Sequence, residues 1–171
     1  MTEPVASEPR LTNPITVVGE RSVRVTPAVA ASLPEERLTA EVVCATGNRY
    51  EATWAGVGIG SLCDTVDAQA DTTHVVVGSI DGYRMAVPIL DALRGVIAFE
   101  KDGRPIDEQA PYSNRFVAPA VEGARDVKGV SRIEFHALEP DADPERLEQF
   151  EPDDDRFETV RATDSTETQT Q

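Results

Sequence analysis

Lysine is nearly missing from these 171 residues. Lys101 and Lys128 are the whole supply, beside 14 arginines and 31 acidic residues, for a formal net charge of −15. Nucleic acid is gripped by clustered Lys and Arg that release counterions from phosphates, so a surface of this sign argues against it as a partner. The charge is uneven. Residues 139–171 hold 12 acids and 3 bases, which puts −9 of the total in the last fifth of the chain. A Lys-poor, acidic chain with 5% aromatics is what a protein working in high salt is expected to have, because salt screens the self-repulsion. The alternative is an ordinary protein with an acidic tail.

Long apolar runs are also missing, which argues against a membrane-spanning helix. Met1–Arg10 has neither the charged start nor the apolar middle of a secretory signal, so the expected location is cytoplasmic. Cysteine occurs twice, at Cys44 and Cys63, too few and too far apart for a disulfide framework. With two histidines and neither a Cys-x-x-Cys nor a His-x-x-x-His spacing, zinc is not expected.

The residues that are present describe a chain of many short strands. Residues 1–13 read as a polar arm, 14–138 as one folded domain, and 139–171 as an acidic, mostly disordered tail. Ile15–Val18 and Val23–Val25 are apolar strands around a Gly-Glu-Arg turn, and Thr26-Pro27 has the form of an N-cap followed by proline at the first helical position. Leu38, Ala40 and Val42 alternate on one face of a strand running to Cys44, and Tyr50–Trp54 makes another. Ile59, Leu62, Cys63 and Val66 fall at helical spacing, with Cys63 read as part of a packed stripe. Further strands are expected at 73–78, 83–87, 96–100, 114–118 and 131–135, with turns at Asp81-Gly82 and Asp102-Gly103. His74 and His136 read as strand-end residues. Asp143-Pro144 is positioned to cap a short helix that carries Leu147 and Phe150 on one side. The pattern predicts a single α+β domain of mixed short strands and few short helices.

One stretch carries potential chemistry. Val42-Val43-Cys44 is a β-branched run ending at a thiol, and Ala45-Thr46-Gly47-Asn48-Arg49 turns away from it to a guanidinium. A thiolate there would be a soft metal donor, kept deprotonated by a nearby cation; equally, Cys44 would serve as a small buried hydrophobe ending a strand.

Several separated segments resemble the molybdopterin-binding domain of the sulfite oxidase superfamily, in the same order. They are Cys44-Ala45-Thr46-Gly47-Asn48-Arg49, Trp54-Ala55-Gly56-Val57 with Leu62-Cys63-Asp64, His74 to Tyr83, Phe99 to Pro105, and Gly123-Ala124-Arg125-Asp126-Val127-Lys128 with Arg132-Ile133. The resemblance covers residues 14–138 and implies that family's fold. It implies a molybdenum held by the dithiolene of a pyranopterin and by one protein cysteine, matched here by Cys44. Asp81 matches an acid that contacts the pterin, Arg115 an arginine of the cofactor pocket, and Asp126, Val127 and Lys128 a tripeptide that binds the pterin. Arg49 and Tyr83 match positions beside the substrate pocket, where a cation holds an oxyanion and a phenol donates a hydrogen bond. A cofactor of this kind is anionic and rich in acceptors, so it needs fixed cations.

The implied activity is oxygen-atom transfer to or from a small substrate, with electrons passed to a separate partner. The chain departs from the family in three places. No counterpart of the upstream segment that supplies an arginine and a histidine is found before Pro14. Ala110 or a neighbour stands where a histidine is expected before Arg115, and Gly129 stands where a tryptophan follows the lysine. These departures motivate a second expectation, a cofactor-free binding module that keeps the fold.

Overall fold

In the computed structural model, residues 8–43, 46–119, 121 and 125–149 are described. Apolar residues at alternate positions dominate the elements, and the structure is two five-stranded sheets that share a core, in agreement with the α+β expectation.

The first sheet opens with β1 (Ile15–Val18) and β2 (Ser22–Val25), antiparallel across the Gly19-Glu20-Arg21 turn. Thr26 then caps α1 (Pro27–Ser32), its Oγ1 accepting from the Val29 N–H at 3.3 Å, with proline at the first turn as its fixed φ favours. The second sheet begins with a long hairpin of β3 (Glu35–Val43) and β4 (Arg49–Gly58), paired from Glu35↔Val57 to Val43↔Arg49. Next come α2 (Ile59–Thr65), β5 (His74–Ser79), β6 (Arg84–Pro88), α3 (Ile89–Ala92), β7 (Val96–Lys101), β8 (Arg104–Pro105), β9 (Arg115–Val117) and β10 (Val130–His136).

Strand order in the first sheet is β2-β1-β10-β5-β6; in the second it is β3-β4-β7-β8, with β9 on β7. β1 lies parallel to β10, so strands from the two ends of the domain sit side by side and close it. Ile15, Val17, Val75, Val77, Met85, Val87 and Ile133 of the first sheet face Val57, Ile97, Phe99 and Phe116 of the second, and Ile59, Leu62 and Val66 of α2 complete this core. Cys63, on the same helix, is only half-buried; burial and the neighbouring Asp64 push its thiol up, which favours the protonated form.

The second sheet has another apolar face, turned away from that core. Ala40, Val42, Ala52, Trp54, Val96, Ala98 and Val117 form it, covered by Ile106, Ala110 and Tyr112 of the loop leading to β9. Asp102 and Gly103, both at positive φ, make the β7–β8 turn, as their pairing in the sequence suggests. Among the described residues no helix is long and apolar enough to cross a membrane.

Beyond β10, Asp143 caps a 3-10 turn over Pro144–Leu147, its Oδ1 accepting from the Glu145 N–H at 3.0 Å. The chain then lies on the free edge of β6, where Arg84 and Gln149 exchange backbone hydrogen bonds of 2.8 and 3.0 Å. Glu148 is buried there, ion-paired to Arg125 and accepting from the Ala86 N–H. Phe150 and the remainder of the acidic tail lie outside the described residues.

Candidate functional site

The outward face of the second sheet gathers Lys101, Arg115, Tyr50 and Trp54. On β4, Tyr50 and Trp54 share this face with Ala52 between them, as period-two alternation requires. On β7, simple alternation would send Lys101 inward with Ile97 and Phe99. A β-bulge prevents that. Gly56 pairs with Ala98 and Ala55 with Glu100, leaving Phe99 as the extra residue, so Trp54 and Lys101 become directly opposed on the outer face. Gly56 is essential to this crossing, because a Cβ there would stand 1.9 Å from the Ile97 carbonyl oxygen. Asp102 fixes the next step of chain: its N–H donates to the Thr53 carbonyl at 2.7 Å and its Oδ1 accepts from the Thr53 N–H at 2.9 Å.

Arg115 reaches the same face because β9 pairs Arg115 with Ala98. It is 5% exposed, its Nη1 donates to Tyr50 Oη at 3.2 Å, and its guanidinium carbon stands 5.6 Å from the Trp54 ring centre. Lys101 Nζ stands 4.5 Å from the Tyr50 ring and 5.7 Å from that of Trp54. These cation–π contacts hold both charges against the two rings. Together with Ile106, Gln109, Ala110 and Tyr112 they line a cleft of about 70 Å³. Two buried donors facing this group, Arg115 Nε and Trp54 Nε1, have no hydrogen-bond partner among the described residues. Buried donors are almost always satisfied, so each calls for an acceptor beyond the described residues.

Lys128 joins the group through a β-bridge to Arg115, its Nζ 5.9 Å from the Tyr112 ring. A second hollow of about 210 Å³ lies on the other side of Tyr112, lined by Ile80, Asn114, Gly129 and Val130 among others. Gly129, where the resemblance expects a tryptophan, adopts φ +64 and its carbonyl accepts from the Ile80 N–H at 3.0 Å. This bond ties the β5–β6 turn to Lys128. Asp81 sits in that turn at the surface, its carboxylate accepting from Ser79 Oγ and from the Tyr83 N–H.

Asp126 and Val127 lie behind the cations. Val127 is fully buried, its carbonyl accepting from the Phe116 N–H at 2.9 Å. Asp126 is 2% exposed and accepts from the Ala118 N–H at 3.4 Å. Burial pushes its carboxyl up to about 7, against the opposing pull of Arg115 and the Ala118 N–H.

Of the residues singled out from the sequence, the structure thus brings together Arg115, Lys128, Asp126 and Val127, while Asp81 is exposed in the turn next to Ile80, which lines the second hollow. Two others stand apart from the cleft lining. Arg49 lies at the exposed start of β4, ion-paired to Glu41 at 3.2 Å, and Tyr83 is 1% exposed within the core between the sheets. Cys44 lies outside the described residues; the strand leading to it is described as far as Val43. The sequence reading overlooked Tyr50, Lys101 and Tyr112. The signal available for Lys101 was its rarity, the same signal that drew attention to Lys128.

Comparison with known proteins identifies the family and the fold. Residues 14–143 match the model of the oxidoreductase molybdopterin binding domain. Over 141 aligned residues the chain is 27% identical to the mitochondrial sulfite oxidase of Drosophila melanogaster, a match covering 65% of this chain and 25% of that protein. The fold is similar to that of the sulfane dehydrogenase SoxCD from Paracoccus pantotrophus, with a TM-score of 0.67 at 16% identity over 82% of this chain and 41% of that one. The chain therefore spans about a quarter of the curated relative's length, and the structural likeness bears on fold alone. A family match running through nearly the whole described fold, from β1 past β10, makes this chain a member of the oxidoreductase molybdopterin binding domain family.

Proposed function

We propose that the chain forms the molybdopterin-binding part of an oxidoreductase that moves an oxygen atom to or from a small substrate, with electrons handed to a separate partner. The observation that supports this reading is the pair of buried donors, Arg115 Nε and Trp54 Nε1, without a hydrogen-bond partner among the described residues, on the sheet face that carries Lys101, Arg115 and Lys128. An anionic, acceptor-rich group fits that donor set, and a pterin dithiolene phosphate has this chemistry. When bound, the molybdenum cofactor supplies two-electron oxygen-atom transfer.

The protein's part is to bind and orient. Arg115 and Lys128 would neutralise the anionic cofactor, with Asp126 and Val127 behind them fixing the backbone that carries Lys128. Asp81, exposed in the β5–β6 turn, would take a pterin N–H, and Cys44, following Val43, would supply the thiolate. Arg49 enters β4 just after that cysteine in sequence, which suits a cation at the mouth of the site, while Tyr83 has a packing role. Low dielectric around Trp54 and Arg115 would strengthen the charge contact made by Arg115.

A second reading, the cofactor-free module, draws support from the cleft's size, since about 70 Å³ is far below the roughly 300–1,000 Å³ of ligand pockets. Metal analysis separates the two. Protein isolated from a host that makes the cofactor should carry molybdenum approaching one per chain together with the fluorescence of oxidised pterin, and Cys44→Ser should lose the metal. Absence of both metal and pterin from the parent protein would overturn the first reading.

A further inference from the structure

The free edge of the second sheet carries a residue pattern complementary to itself. We infer that β3 is the interface of a two-fold dimer, in which two copies of this chain join their β3 strands antiparallel about Thr39 and make the second sheet continuous across both. The inference is independent of the molybdopterin reading above and holds for the chain with or without cofactor.

β3 differs from the other sheet edges described. β2 is four residues long, β8 two and β9 three, and β6 is covered by Glu148 and Gln149. β3 runs nine residues, Glu35–Val43, in unbroken register with β4, and pairs with no described strand on its other side. It holds no proline, lysine or bulge, the devices that keep edges from pairing. Its backbone faces the free edge at alternate residues. Thr53, which lies opposite Thr39, donates its N–H to Asp102 Oδ1 at 2.9 Å and accepts from the Asp102 N–H at 2.7 Å, on the side away from β3. Opposed residues of an antiparallel pair turn their backbone groups either toward each other or both away. Thr39, and with it Glu35, Arg37, Glu41 and Val43, therefore presents N–H and C=O outward.

The side chains select a second copy as the partner. Full overlap about Thr39 sets Arg37 opposite Glu41 of the other copy, twice by symmetry, and sets no acid opposite an acid. Moving the axis to Leu38 would oppose Glu35 to Glu41, and parallel in-register stacking would oppose every glutamate to itself. Leu38 falls opposite Ala40 of the other copy, so the apolar outer face of Leu38, Ala40 and Val42 runs on across the axis. Within its own chain Arg37 pairs with Glu35 and Glu41 with Arg49, but all four side chains are more than half exposed, and such pairs exchange partners at little cost. Glu35 of one copy lands opposite Val43 of the other, at the end of the strand that leads to Cys44. Because both copies use the same edge, the assembly closes at two chains.

Sedimentation velocity over a series of protein concentrations tests this, in salt sufficient to screen the repulsion between two copies of net charge −15. The mass should rise from one chain to two and stop there. Thr39→Pro removes an outward N–H that no described group uses, at the kind of edge position where proline is tolerated, and should weaken association about tenfold or more. Arg37→Glu should weaken it as well, and Arg37→Glu combined with Glu41→Arg should restore it to within a few-fold. Arg24→Glu, on the exposed face of β2 in the other sheet, changes the net charge as much as Arg37→Glu and should leave association unchanged. Circular dichroism should be the same for all variants. A monomer at every concentration would overturn the inference and leave the edge to a strand of another protein. Assembly that continues past two chains, a Thr39→Pro protein that associates like the parent, or a double variant that associates no better than Arg37→Glu would also overturn it.

Discussion

Replacing Asp126 by Asn should change how stability depends on pH. The Asp126 carboxyl is buried, its folded-state value is raised from 3.8 to about 7, and burial is the dominant cause. Between those two values the unfolded chain has released a proton that the folded protein keeps, so stability falls as pH rises, by about 1.4 kcal/mol per pH unit for one group. Protonated Asp126 thus contributes stability fully below pH ~4, and the contribution is lost through about pH 7, a total on the order of 4 kcal/mol. Asparagine keeps an oxygen for the Ala118 N–H but has nothing to ionise. Urea denaturation of both proteins from pH 5 to 8 isolates the effect, because the other carboxylates cancel in the difference. The parent should lose about 2–3 kcal/mol relative to Asp126→Asn across that range, most of it below pH 7. A difference that stays flat, or that favours the parent as pH rises, would refute a neutral, buried carboxyl behind Arg115.

Gly56→Ala tests the bulge. A Cβ 1.9 Å from the Ile97 carbonyl oxygen cannot be relieved by rotating a side chain, so the loss should exceed the ~1–3 kcal/mol of ordinary overpacking. In thermal unfolding monitored by Trp54 emission the variant should melt well below the parent, and an unchanged midpoint would mean the strands do not cross as described. Glu148→Ala strips Arg125 of its ion-pair partner and leaves the Ala86 N–H unsatisfied, which should cost roughly 2–3 kcal/mol. Hydrogen exchange should then speed up at Ala86 and along β6, whereas exchange confined to residues 143–149 would show that the segment adds nothing to the sheet.

Much of the local structure was legible in the residues themselves. Thr26-Pro27 starts a helix and Asp102-Gly103 turns a hairpin because caps and positive-φ pairs act over a few residues. Leu38, Ala40 and Val42 share a face because strand alternation is a property of the chain alone. The order of motifs also carried the family and the fold class. Asp143-Pro144 announced a capped turn, although what it docks on, the edge of β6, could not be read from it.

Which charged groups meet was decided elsewhere. Arg49 and Arg115 are the same residue type, each at the first position of a strand, yet one is 71% exposed at a hairpin end and the other is buried on an indole. The difference comes from partners far away in sequence: β9 adds to β7, and β7 slips by one residue against β4. That slip reverses the face of Lys101, and no local pattern encodes it, because the close approach that demands Gly56 exists only once the two strands are paired. Composition determined an acidic, lysine-poor chain, and the local order of residues its short strands. Long-range pairing alone determined that Lys101 and the buried Arg115 stand on the Trp54 ring, with Lys128 bridged to Arg115 beside Tyr112, since bringing them together requires the whole sheet to form.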